Sequence, residues 1–338
     1  MKKIIALLLA VLMVLSMVAC ASKTTDDTPA DTTPADTTPA DTTTEDTEKT
    51  DEPADTTTDA EPVETDGEYA VAMITDYGDI TDQSFNQTTY EACKAFCEAN
   101  GITFNYFKPA GDNTADRVAM IEKAVDEGYN VIVMPGYAFG GAIVEAAPEY
   151  KDVKFVALDV GKGDLLEAGV AAAGETYDYN PDNWNLEDYV DMSNVYCAIY
   201  QEELCGYMAG YAAVKLGYEK LGFLGGMAVP AVVRYGYGFV QGVDAAAKEL
   251  DKTVELNYVY GNMFSGDPDI TAAMDVWYQG GTQVVFACGG GIYTSAVDAA
   301  KKVNGAKVIG VDVDQAGVIA NYAGGDEYKE LTVTSAMK

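Results

Sequence analysis

The chain has 338 residues, a formal net charge of −33 and no histidine. That charge opposes binding to nucleic acid or to anionic lipid surfaces. The missing imidazole removes Ser-His-Asp triads, Cys-His pairs and the usual His-bearing zinc sites. The length suits two folded domains once the N-terminus is set aside.

That N-terminus, "MKKIIALLLAVLMVLSMVAC", carries two lysines, an apolar run too short for a comfortable spanning helix, and small residues before Cys20. It reads as a secretory signal over residues 1–20. Cys20 stands where a bacterial lipoprotein signal places its acylated residue; an ordinary signal with a chance Cys is the alternative. Residues 21–66 repeat "TPADT" units with almost nothing apolar, and so read as a disordered, acidic, Thr/Pro-rich linker that holds the folded part away from the envelope. Membrane contact is then expected through the lipid anchor, at the extracytoplasmic face of the cell membrane. The other cysteines, 93, 97, 197, 205 and 288, form no C-x-x-C pair, so neither a zinc knuckle nor a redox motif is suggested.

From Tyr69 onward, apolar runs of strand length alternate with amphipathic stretches of helix length, the pattern of βαβ units and parallel sheets. "YAVAMIT" is the first predicted strand, and "SFNQTTYEACKAFCEANG" a helix that starts near Ser84 and stops at Gly101. "ITFNYFK", "NVIVMPG", "VKFVALD" and "NVYCAIY" follow as strands, with helices such as "TADRVAMIEKAVDEGY" and "GGAIVEAAPEY" between them. The helix "EELCGYMAGYAAVKLGY" leads into a second run of the same kind, with strands "KLGFLGG", "TVELNYVYG", "TQVVFACGG" and "KVIGVDV". The expected fold is α/β, with two doubly wound parallel-sheet lobes and a cleft between the carboxyl ends of their strands.

The residues at those strand ends are the candidates for function. After the first strand come Asp76, Asp79, Asp82, Ser84, Phe85 and Asn86; after the fourth, Asp159. In the second run they are Gly225, Gly226, Tyr235, Gly289 to Gly291, Asp312 and Asp314, and Lys338 closes the chain. Single carboxylates, glycines and aromatic rings suit a neutral polyhydroxylated ligand, because a carboxylate accepts from vicinal hydroxyls and a ring stacks on a flat group. Each Asp taken alone also reads as a helix cap or turn residue, and Phe85 also reads as core. The glycine runs match neither G-x-G-x-x-G nor a P-loop, and "DYGDITD" lacks the spacing and terminal Glu of an EF-hand. No cofactor, metal or catalytic residue is expected.

In order along the chain, "DYGDITDQSFNQ", "VKFVALD", "YQEELCGYMAGYAAVKLG", "KLGFLGGMAVPAVVRYGYGFVQG", "VVFACGGG" and "VIGVDVDQ" resemble the basic membrane protein family. These are purine nucleoside receptor-type lipoproteins, substrate-binding components of ABC transporters. The resemblance covers about Tyr69 to Lys338 and implies a periplasmic-binding-protein type I fold that closes on a nucleoside. It implies ligand contacts from Asp76, Phe85, Asn86, Asp159, Tyr235, Gly290, Asp312 and Lys338, with Phe85 and Tyr235 sandwiching the base. Where the family commonly has Phe, this chain has Tyr235. The implied partners are a nucleoside and an ABC permease, for a protein expected to be monomeric and not an enzyme. A free sugar or other small polar metabolite in the same fold is the alternative, since the same carboxylates serve any polyol. Lobe one is assigned residues 67–201, completed by 331–338 and by residues beyond Lys338 where family members continue; lobe two is 202–330.

Overall fold

Every residue of β1 (Ala70–Ile74) is buried, as a strand covered by helices on both faces requires. The structure, a computed structural model, describes residues 69–338; the predicted signal, Cys20 and the linker lie outside the described residues. β1 pairs in parallel with β2 (Thr103–Phe107) and β3 (Val131–Pro135), and the ladder continues through β4 (Lys154–Leu158) to β5 (Val195–Ala198). The order in this first five-stranded sheet is β2-β1-β3-β4-β5.

Local chemistry sets the helix ends. α1 (Phe85–Asn100) begins where the Asp82 carboxylate accepts from the backbone N–H groups of Ser84, Asn86 and Gln87, and it ends on Gly101 at φ +66°. α2 (Thr114–Asp126) is capped by Asn113, whose side chain accepts from the Asp116 N–H. α3 (Gly140–Ala146) and α4 (Lys162–Ala172) follow in the first lobe; α4 goes beyond the predicted helices. After α4, Tyr177, Trp184 and Tyr189 pack over Leu166 and Val170 as a small satellite core.

The second sheet, of order β10-β9-β8-β6-β7, is also parallel throughout. Its strands are β6 (Lys220–Gly225), β7 (Glu255–Tyr260), β8 (Val284–Cys288), β9 (Lys307–Asp312) and β10 (Thr332–Met337). Around it lie α5 (Glu202–Lys215), α6 (Pro230–Glu249), α7 (Pro268–Gln279), α8 (Tyr293–Ala300) and α9 (Ala316–Ala323). α5 and α6 touch backbone to backbone. A Cβ at Gly206 or Gly210 would fall on the carbonyls of Tyr235 or Phe239, and one at Gly238 or Gly242 on those of Glu203 or Tyr207.

Residues 331–338 were expected to complete lobe one. Instead β10 lies against β9, with Ala336 paired to Val311 and buried in the second core. The reason is topological: the connection through α9 is short, and it returns the chain to the neighbouring parallel position in the sheet it has just left. All of sheet one precedes Ile199 and all of sheet two follows Gln201, so the described residues pass between the lobes once.

Candidate functional site

Both sheets present the carboxyl ends of their strands to one cavity of about 720 Å³. Asp76, Phe85, Asn86, Asp159, Tyr235, Gly290, Asp312 and Lys338 all line it. The two lobes contribute in parallel fashion. Asp159 directly follows β4 and Asp312 ends β9, equivalent strands in the two sheet orders, and both adopt positive φ, +60° and +63°. Asp tolerates that conformation better than most side chains, and it turns the carboxylates into the cleft.

The N-terminal loop of lobe one is held from within. Asp76 Oδ1 accepts from the backbone N–H groups of Tyr77 and Gly78 at 2.6 and 2.8 Å, and Arg117 Nε donates to the Asp76 carbonyl at 3.2 Å. Asn86 Nδ2 donates to Asp82 at 3.1 Å and to Asp76 at 3.3 Å, which leaves its buried Oδ1 with no hydrogen-bond partner. Asp82 is thus a cap for α1, and burial raises its pKa against those N–H donors. Asp79 is half exposed and pairs with Lys108 at 2.8 Å.

The far end of the cleft is a cluster of buried charges. Lys338 Nζ lies 2.6 Å from Asp159 Oδ2, 3.6 Å from Glu202 Oε1 and 3.8 Å from Asp312 Oδ1. It also sits over the Phe85 ring, 3.7 Å from the centroid, and 4.9 Å from that of Tyr200. Burial alone would lower the Lys338 pKa, but Asp312, Asp159 and Glu202 outweigh it and hold the ammonium charged. Arg234 donates through Nε to Glu202 at 2.7 Å and reaches Asp159 Oδ1 at 3.6 Å. Glu202 and Asp159 therefore share both cations in a ring of alternating charge. Glu202 is 0% exposed, and burial pushes its pKa up to about 6 despite the Arg234 hydrogen bond.

Tyr235 is 2% exposed. Its ring meets Phe286 edge-on with centroids 5.9 Å apart, and its hydroxyl is within reach of Asp312 Oδ1 at 3.1 Å and the Ala336 carbonyl at 3.2 Å. Gly290, at φ +48°, lies so close to the Phe264 carbonyl that a Cβ would come within 2.9 Å of it. Phe264 in turn lies over Gly226 and Gly289 and faces Tyr77 of the other lobe, with centroids 6.4 Å apart.

Sequence reasoning missed Glu202 and Arg234. Glu202 stands in the first turn of α5, where an acid reads as an ordinary dipole partner. Arg234 carried the one available signal, being one of two arginines in the chain and adjacent to the predicted Tyr235. Among the described residues no group of acids or cysteines is placed to hold a metal ion, and no helix is long and apolar enough to cross a membrane.

Residues 69–338 match a family described as Bmp, ABC transporter substrate-binding protein PnrA-like. A Lactococcus lactis protein named ABC transporter nucleoside-binding protein BmpA is 28% identical over 259 residues, 72% of this chain and 64% of that protein. The match thus spans just under two thirds of that relative. Basic membrane protein B of Borreliella burgdorferi is 27% identical over 263 residues, 72% of this chain and 65% of that protein. An ABC transporter solute-binding protein from Aeropyrum pernix shares the fold with a TM-score of 0.58 at 18% identity, covering 79% of this chain and 74% of that one.

Proposed function

Because the chain belongs to the Bmp family of PnrA-like ABC transporter substrate-binding proteins, we propose that its cleft captures a nucleoside and delivers it to a membrane permease. The observation that carries the reading is what the cavity wall brings together from both lobes: the carboxylates of Asp159 and Asp312, the Lys338 ammonium and the Phe85 ring. The carboxylates accept from hydroxyls, the ammonium donates, and the ring stacks on a flat group. A nucleoside meets these with its ribose hydroxyls, its base edge and the plane of its base.

In this reading Phe85 offers a ring face to the base, and Tyr235 closes the wall behind it while fixing Asp312. Asp159 and Asp312 accept from ribose hydroxyls, and Lys338 donates between them. Each charge-assisted hydrogen bond contributes about 1.5–3 kcal/mol, so a few of them with one stacked ring reach micromolar binding or better. Asp76 acts mainly by shaping the loop before Phe85. Cys20 would carry the lipid that keeps the protein at the extracytoplasmic face of the membrane.

The test is calorimetric titration with adenosine, guanosine, inosine, cytidine, uridine and ribose. Tight binding of at least one nucleoside with none of ribose is the expected outcome, and it also sets the base preference. Ribose binding as tight as that of the nucleosides would move the assignment to a free sugar.

A further inference from the structure

We propose that Gln315 is a positioning residue for ligand capture: its side-chain amide ties the second lobe to the loop that carries Phe85, and so sets the ring in place as the cleft closes. The proposal rests on the binding role argued above. Gln315 is completely buried at the start of α9. Its two amide atoms face different lobes. Oε1 accepts from the Val311 N–H at 2.9 Å, inside its own lobe, while Nε2 donates to the Gln83 carbonyl of lobe one at 3.0 Å. The partners fix the amide orientation, since one is a donor and the other an acceptor.

The surroundings fit such a tie. Gln315 N–H donates to Ser335 Oγ at 3.1 Å, and Gly310 leaves the space that the side chain fills, because a Cβ there would come within 2.9 Å of Oε1. On the receiving side Gln83 has φ +56°, a conformation that residues with side chains seldom adopt and that neighbours must hold. The next residue, Ser84, donates its hydroxyl to Asp312 Oδ2 at 2.5 Å across the same gap. Phe85 follows directly. Two consecutive residues before the ring are thus docked on the second lobe, and opening the cleft must release both.

The experiment is stopped-flow binding of inosine to the full chain, comparing wild type with Gln315→Glu. The carboxylate keeps an acceptor for the Val311 N–H but offers no donor to the Gln83 carbonyl. Dissociation is expected to speed up at least about tenfold, the effect of one lost buried hydrogen bond, while association stays within about twofold. The unfolding midpoint of Gln315→Glu should fall, because a buried carboxylate then faces the Gln83 carbonyl, so the discriminating readout is the kinetic split: a purely structural defect would not be confined to the dissociation rate. Gln315→Met, which introduces no buried charge, guards against misfolding; an unchanged dissociation rate in either folded variant overturns the proposal. If wild type binds no nucleoside, the nucleoside reading fails separately. The tie is then decided in the ligand-free protein by the oxidation rate of a Ser84→Cys, Asp312→Cys pair. A rate at least about fivefold lower with Gln315→Glu upholds it, and an equal rate overturns it.

Discussion

Glu202 joins the charge cluster of the cleft from a position with no exposed surface. Of the four members of its charge ring, only Asp159 belongs to the first lobe, so opening the cleft separates Asp159 from both cations while Glu202 keeps Arg234 and Lys338. Its pKa, raised from 4.5 to about 6 by burial, has a consequence for stability. Between those values the folded chain holds a proton that the unfolded chain has lost. The contribution of this group to stability is therefore greatest below pH 4.5 and falls away as the pH rises through about 6. Glu202→Gln cannot ionise and should lose that slope; urea denaturation of both proteins across this range checks it. Strand ends are readable from apolar runs, which is why Asp76, Phe85, Asp159 and Asp312, which line one cavity, were legible as candidates. Glu202 and Arg234 were not, because their roles arise where side chains from separate elements meet.

At the scale of elements, the α5–α6 contact decides where these groups stand. Glu202 opens α5, and Arg234 and Tyr235 lie in the first turns of α6, so the two helices must lie backbone to backbone for the ion pair to form. Gly238→Ala would set a methyl group against the Glu203 carbonyl and push the helices apart. We expect a loss of about 2–3 kcal/mol in chemical denaturation, with weaker ligand binding. Gly317→Ala on α9 is the control: nothing lies within 4 Å of its added Cβ, and helix propensity should make it neutral or stabilising by up to about 1 kcal/mol. The predicted strands appear within a residue or two of their places because most are short apolar runs, β2 and β7 with Asn105 and Asn257 being the more polar ones. β10 was read into the wrong lobe: "TVTSAM" has the alternation of a strand, but nothing in it says which sheet edge is open.

For the whole molecule, the net charge of −33 and the chemistry of the cleft part company. The side chains of Lys338 and Asp159 are 7% and 6% exposed, too enclosed for counterions to reach. Ligand affinity should therefore change less than about twofold between about 0.05 M and 0.5 M NaCl, as titration at both concentrations would show. The two-lobed architecture was legible from the recurrence of strand and helix lengths, whereas the pairing of the lobes through Ser84, Gln83, Asp312 and Gln315 depends on geometry that no periodicity encodes. That the described residues pass between the lobes once bears on how the chain acquires its structure. Each sheet draws its five strands from one unbroken stretch, so every pairing in the first can form before any residue of the second is needed. A chain emerging N-terminus first can therefore pair all five strands of the first sheet before the second sheet is made. The cross-lobe contacts that shape the binding cleft would then be the last to assemble.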